Sequence, residues 1–268
     1  MKTNVESWIA YFYFDFWEQY GAKEARNLPL LSGGPWKIFL IIAFYVYFVK
    51  VLGPEWMKNR KAYDLRWLMF AYNVFLVSFH VIVFPMALLA TKFTVSTWQC
   101  SALNEFNHLD NQAYLLGYSY YLSKFVELFD TVFFILRKKH SHVTGLHVFH
   151  HASMPLLCFI AAKFSVWHAA GWTPILNGFV HIVMYTYYAI ACLGSRTKKY
   201  LWWKKHLTQL QLVQFTLIIA HAIYFLLHPS CKWPKIFPLL ELFHGCLFLY
   251  LFASFYSKCY NKAKKADA

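Results

Sequence analysis

The sequence predicts an all-α multi-pass membrane protein with seven transmembrane helices. Three observations predict it. Of the 268 residues, 59% are hydrophobic and only 14% are charged, whereas roughly a quarter of a soluble domain is charged. Seven apolar stretches each approach the ~20 residues needed to cross a hydrocarbon core. The basic residues crowd alternate connections between those stretches, the asymmetry expected of a membrane-inserted chain.

The spans are read at 36–52, 67–91, 112–136, 143–162, 172–193, 207–228 and 236–256. The first follows the turn-forming run Ser32-Gly33-Gly34-Pro35 and stops at Gly53-Pro54. The third carries Lys124, Glu127, Asp130 and Thr131. The fourth and fifth hold the most polar residues. The sixth follows Lys204-Lys205-His206. Around the helical domain, residues 36–256, the reading places a non-cytosolic N-terminal segment, 1–35, and a cytosolic basic tail, 257–268. The first 35 residues lack the basic start, apolar core and cleavage site of a signal peptide, so the first span is expected to serve as the insertion signal.

The formal charge is +14. One set of connections, with the tail, holds Lys58, Arg60, Lys61, Arg66, Arg137, Lys138, Lys139, Arg196, Lys198, Lys199, Lys204, Lys205, Lys258, Lys262, Lys264 and Lys265, which is 16 of the 26 basic residues. The positive-inside rule makes that set cytosolic. Seven spans then put the N-terminus outside the cytosol and the C-terminus inside it. Topology accounts for most of this charge, and a polyanion at the cytosolic mouth would account for the rest. The tail's Lys262-Ala-Lys264-Lys265 only partly matches a lysine-based retrieval signal. Of six cysteines, Cys158, Cys192 and Cys246 fall in spans and Cys259 in the tail. Cys100 and Cys231 fall in non-cytosolic loops, where a disulfide is permitted, and a Cys100–Cys231 bridge is expected.

Ionisable groups in lipid are costly and commonly serve function. His147, His150 and His151 stand at i, i+3 and i+4, so a helix presents them on one face. In the third span Lys124, Glu127 and Thr131 share a face with Asp130 beside it. A lone charge at mid-bilayer costs ~2.5–3.5 kcal/mol on insertion scales, which an internal Lys124–carboxylate pair would offset. In the fifth span Asn177, His181, Tyr185 and Tyr188 form one stripe, with Met184 and Tyr187 nearby. The sixth carries Thr208, Gln211 and Gln214. Each group also has a plain structural reading, as an ion pair or interhelical hydrogen bonds holding the bundle together.

Three chemistries fit these residues. Clustered imidazoles suit a di-metal centre of the oxygenase or desaturase kind, although only one His-x-x-His-His block is present. Neutral imidazole also suits nucleophilic or general-base catalysis on a thioester, with donors from His, Asn and Tyr stabilising an oxyanion. A multi-pass lipid transporter is the third reading, and it calls for paired halves that the sequence does not display.

The set Lys124-x-x-Glu127-x-x-Asp130-Thr131, His147-x-x-His150-His151, Asn177-x-x-x-His181-x-x-Met184-Tyr185-x-Tyr187-Tyr188 and Thr208-x-x-Gln211-x-x-Gln214 resembles the very-long-chain fatty-acid elongases, the membrane 3-oxoacyl-CoA synthases. The resemblance runs from about Val46 through the sixth span. Tyr200-Leu-Trp-Trp-Lys-Lys205 and the Arg137-Lys138-Lys139 run look like the animal branch. Leu210-Gln211-Leu212-Val213-Gln214 looks closer to members acting on saturated and monounsaturated chains.

The resemblance implies a seven-helix fold with six helices around a closed-ended substrate tunnel, in the endoplasmic reticulum membrane. It implies condensation of a long-chain acyl-CoA with malonyl-CoA, releasing carbon dioxide and CoA, without a metal or other cofactor. By motif match His150 is expected to take the acyl group, with His147, His151 and His181 orienting it and moving protons. Lys124, Arg137, Lys139, Lys204, Thr208 and Gln211 are expected to hold the CoA part, and Asn177 and Tyr187 to lie nearer the thioester. Glu127 and Asp130 are expected to support Lys124 and the histidines. Reductases and a dehydratase would complete the cycle, and exposed apolar faces would admit a homodimer.

Overall fold

A computed structural model of the chain describes residues 8–99, 111–164, 171–229, 231 and 233–261. Those residues are helical, with turns between the helices. Among the described residues six helices are long and apolar enough to cross a membrane: Trp36–Met57 (α1), Arg66–Ala90 (α2), Gly145–Lys163 (α5), Trp172–Cys192 (α6), Lys204–Leu227 (α7) and one beginning at Ile236 (α8). Large apolar side chains such as Leu40, Leu89, Leu227 and Tyr250 lie outermost, while Lys124, Glu127, His181 and His221 are buried. That inversion is what a lipid solvent demands, because the backbone and polar groups must be satisfied internally. The chain is a multi-pass membrane protein.

Among the described residues, six such helices stand at six of the seven expected spans. The third predicted span, 112–136, is divided into Asn111–Val126 (α3) and Phe129–Leu136 (α4), 16 and 8 residues long. The break is local overwinding: Leu128 N–H donates to Phe125 O at 3.3 Å and Asp130 N–H to Glu127 O at 3.2 Å, both across three residues. Lys124 and Glu127, which pair at that same spacing, sit at the joint.

The boundaries shift elsewhere for identifiable reasons. The helix of α1 does not stop at Gly53-Pro54. Pro54 falls in the first turn of the continuing segment Gly53–Met57, where its missing N–H costs nothing. Glycine is required there because a Cβ on Gly53 would come within 2.9 Å of Ile135 Cγ2. α5 starts at Gly145 rather than residue 143, because Thr144 caps it. α7 starts at Lys204, which puts Lys204 and Lys205 on its first turn.

The chain divides into two compact units, residues 1–65 with 109–167, and 66–108 with 168–268. In the first, α1, α3, α4 and α5 are joined by the N-terminal segment, whose Trp17, Ala25 and Leu31 are buried with Tyr114, Tyr121, Phe159 and Ala162. Tyr114 donates to Ala162 O and Tyr121 to Leu30 O, each at 3.0 Å. The first bond joins α3 to α5, and the second ties the N-terminal segment to α3. A second core gathers Tyr45, Val49, Met57, Leu128, Ile135 and Val148.

In the second unit α2 packs along α6, and α7 packs against α6 and α8. Close approach of α7 and α8 depends on Gly245, where a Cβ would lie 2.9 Å from Ile219 Cγ1. After α2 the chain turns through Lys92, Phe93 and Thr94, all at positive φ. His221 holds the returning segment, its Nε2 lying 3.0 Å from Thr97 O.

Cys158, Cys192, Cys246 and Cys259 are free thiols. Cys231 is buried, and Cys100 lies outside the described residues, as do Lys262, Lys264 and Lys265 of the tail.

Candidate active site

Each unit carries a buried polar cluster that holds expected site residues. In the first, the Thr144 hydroxyl accepts from His147 N–H at 3.2 Å and caps α5. The helix so started brings His147, His150 and His151 onto one face, as their spacing predicts. The rings of His147 and His151 are 4.2 Å apart between centroids, and those of His150 and His151 5.3 Å. His151 is buried and the other two are half-buried.

Two neighbouring helices meet His147. On α4, Thr131 Oγ1 lies 2.9 Å from His147 Nε2, and on α1 the Tyr45 hydroxyl lies 2.7 Å from the same Thr131 oxygen. Phe134 flanks the imidazole, with centroids 5.4 Å apart. The expected Lys124–Glu127 pair forms: Nζ donates to Glu127 Oε1 at 2.6 Å, with both side chains almost fully enclosed. Ser123 Oγ also donates to Glu127 at 3.3 Å, and Lys124 Nζ sits 4.3 Å from the centre of the Tyr120 ring. A buried pair needs such additional partners to offset its desolvation. Asp130 is half-buried one turn on, Arg137 is half-buried at the end of α4, and Lys139 is exposed beyond it.

In the second unit the fifth-span stripe exists as read. Asn177, His181 and Tyr185 are buried and Tyr188 is half-buried. The stripe meets α2, where Tyr72 lies 6.3 Å from Tyr185 and His80 lies 5.0 Å from His181, edge to face. Tyr187, beside the stripe, packs edge-on against Trp203 at 5.1 Å. On α7, Thr208 and Gln214 are buried, the Gln211 amide nitrogen is 3.8 Å from Met184 Sδ, and Lys204 is exposed. The four expected catalytic histidines are thus divided, His147, His150 and His151 in one unit and His181 in the other.

Sequence reading passed over His80, Tyr45 and the role of Thr131. His80 was one histidine among thirteen. Its signal was the spacing Asn73-Leu76-His80 at i, i+3 and i+7, which is the buried face of α2. Tyr45 gave none, because an amphipathic residue in an otherwise apolar helix has no polar neighbours to form a pattern. His80 and His181 present ring nitrogens within 4.8 Å of one another, a separation that would let both reach one metal ion.

Comparison with known proteins places the chain in a family. The model of the ELO (GNS1/SUR4) family matches residues 30–268. Very long chain fatty acid elongase 7 of Rattus norvegicus is 38% identical over 257 residues, covering 94% of this chain and 90% of the relative. A very long chain fatty acid elongase of Aedes aegypti is 39% identical over 261 residues, covering 94% of this chain and 71% of its own. Very long chain fatty acid elongase 1 of Mus musculus is 38% identical over 243 residues, covering 90% and 86%. The chain belongs to the ELO family, the family of these very long chain fatty acid elongases.

Proposed function

We propose that this acyltransferase is the condensing enzyme of fatty-acid elongation, joining a long-chain acyl-CoA to malonyl-CoA. The observation that carries the reading is a helix face on α5 where the buried His151 ring contacts the rings of both His147 and His150, within a chain whose outer surface is built for lipid. Low polarity disfavours charged imidazole and keeps a ring nitrogen nucleophilic.

In this reading His150 attacks the thioester carbonyl, the carbon–sulfur bond breaks, and CoA leaves as the thiol with the ring's proton. Malonyl-CoA loses carbon dioxide, and the electron pair of that bond forms a thioester enolate. The enolate carbon attacks the acyl-imidazole, the carbon–nitrogen bond breaks, and His150 regains a proton. The product is a 3-oxoacyl-CoA two carbons longer. His147, His151 and His181 move protons and stabilise the enolate. Lys124, Arg137, Lys139, Lys204, Thr208 and Gln211 hold the CoA part, Asn177 and Tyr187 lie toward the thioester, and Glu127 and Asp130 support the cations and imidazoles.

The same reading assigns the acyl chain to a closed-ended tunnel among seven crossings, the protein to the endoplasmic reticulum with a cytosolic C-terminus, and Cys100 to a disulfide with Cys231. It favours saturated and monounsaturated chains, needs no cofactor, and leaves the remaining steps to reductases and a dehydratase. Incubating the purified full-length protein with malonyl-CoA and a ladder of acyl-CoAs, with mass analysis of products and protein, tests it. A two-carbon-longer 3-oxoacyl-CoA and an acyl adduct on an α5 histidine are expected; transport without turnover would overturn the reading. The 4.8 Å approach of His80 and His181 nitrogens favours a metal-dependent alternative. Activity abolished by a chelator and restored by one metal would establish that instead.

A further inference from the structure

We propose that Tyr45 and Thr131 are positioning residues that hold His147 in the tautomer carrying its proton on Nδ1, making it a fixed hydrogen-bond donor. The kinetic part of the inference rests on the condensing function proposed above; the tautomer rests on geometry alone. Three polar groups stand in line, one from each of α1, α4 and α5. The Tyr45 hydroxyl is 2.7 Å from Thr131 Oγ1, and Thr131 Oγ1 is 2.9 Å from His147 Nε2. Tyr45 is 5% exposed and Thr131 is fully buried.

Hydrogen accounting decides the direction. A threonine hydroxyl has one hydrogen to give and lone pairs to receive, and a phenol likewise has one hydrogen. If Tyr45 donates to Thr131, Thr131 donates to His147 Nε2 and both hydroxyl hydrogens have acceptors. In the reverse order His147 Nε2–H donates to Thr131, Thr131 donates to Tyr45, and the enclosed phenol hydrogen has no acceptor among the described residues. An unsatisfied buried donor costs about 1–3 kcal/mol, which is enough to select the first order. Nε2 therefore accepts, and the ring proton resides on Nδ1.

Two consequences follow for the chemistry. The Nε2 lone pair of His147 is already engaged, so that nitrogen is neither the nucleophile nor a free base. The ring's remaining capacity is donation through Nδ1–H, the role required where negative charge develops on an acyl or enolate oxygen. The arrangement resembles in principle any imidazole whose tautomer is set by what its other nitrogen touches.

The test uses full-length protein labelled with 15N-histidine, purified in detergent, with the His147 resonances assigned by their loss in His147→Gln. The expected wild-type signature is an unprotonated Nε2 and a protonated Nδ1; a protonated Nε2 overturns the proposal. Thr131→Val keeps the shape and removes the hydroxyl. It is expected to mix the tautomers and to lower kcat at least about tenfold with KM within about twofold, the pattern of a lost transition-state contact. Thr131→Ser restores the hydroxyl and is expected to regain wild-type tautomer and rate. Tyr45→Phe, which removes only one oxygen, is expected to mix the tautomers as well. Unchanged signatures in both Thr131→Val and Tyr45→Phe overturn the proposal. Should the wild type condense no acyl-CoA at all, the functional reading fails while the spectra still decide the tautomer.

Discussion

Lys163, fully buried at the end of α5, is held by Glu18 from the N-terminal segment, Nζ to Oε1 at 3.0 Å. The ammonium also donates to Leu31 O at 3.0 Å, and Gly33 N–H donates to the same Glu18 oxygen at 2.7 Å. One carboxylate thus joins a membrane helix to a stretch of chain that the sequence left without a role.

That tie has a pH signature. Partial burial raises the Glu18 pKa, but the Lys163 hydrogen bond and the Gly33 N–H lower it by more, and the net direction is down. A carboxylate with a depressed folded-state pKa stabilises fully above its unfolded pKa, and the contribution disappears as pH falls through the folded value. Glu18→Gln is therefore expected to lower the melting temperature at neutral pH and to match wild type progressively better in acid below the ordinary glutamate range. Thermal unfolding in detergent across that range checks it, and limited proteolysis of residues 8–35 should be faster in the variant at neutral pH.

Lys124 and Glu127 are both enclosed, so removing one takes from the other the opposite charge it is paired with. Glu127→Gln is expected to destabilise the protein by about 3–5 kcal/mol, the scale for breaking a buried ion pair by removing one member. Replacing both, Lys124→Met with Glu127→Leu, should recover much of that stability while condensation stays lost. Denaturation midpoints and turnover measured on the same preparations separate the two roles.

His150 is assigned the acyl group, and His150→Ala should remove both the protein-bound acyl adduct and condensation, by about 10³-fold or more. Intact-protein mass measurement after incubation with acyl-CoA alone reads the adduct. Retention of near-normal turnover would move the nucleophile elsewhere.

His221 has a tertiary role. Its Nδ1 is 3.3 Å from Glu241 Oε2 on α8, its Nε2 is 3.0 Å from Thr97 O, and Glu241 also accepts from the Thr173 hydroxyl on α6. Trp98 packs edge-on against the imidazole at 4.9 Å. Glu241→Leu breaks the joint between α6, α7 and α8 and is expected to cost about 1–3 kcal/mol, the penalty for a buried polar group left unsatisfied. A melting temperature equal to wild type would show the cluster to be dispensable.

Local geometry made much of the site readable. Three histidines at i, i+3 and i+4 share a face in any helix, and Lys124 and Glu127 at i, i+3 can always meet, so both arrangements were legible before folding was considered. The Asn177-His181-Tyr185 stripe was legible for the same reason. Tyr187 was not, because neighbouring residues on a helix point apart and only the position of Trp203 decides which way its ring packs. His80 was hidden by its isolation in sequence, and only the packing of α2 along α6 brings it to His181.

What the sequence determined by itself is everything that hydropathy and helical periodicity control: apolar runs long enough to span, an all-helical chain, the histidine face and the family motifs. Those properties depend on residues within one or two turns of each other and on the free energy of placing a segment in lipid. The tertiary structure decided where the third span breaks, how the N-terminal segment is tied down, and which hydroxyls meet His147. Tyr45 and Thr131 are 86 residues apart, and Glu18 and Lys163 are 145 apart. A hydrogen bond reaches only about 3 Å, so partners that distant along the chain are chosen by how the helices pack and by no pattern within either segment.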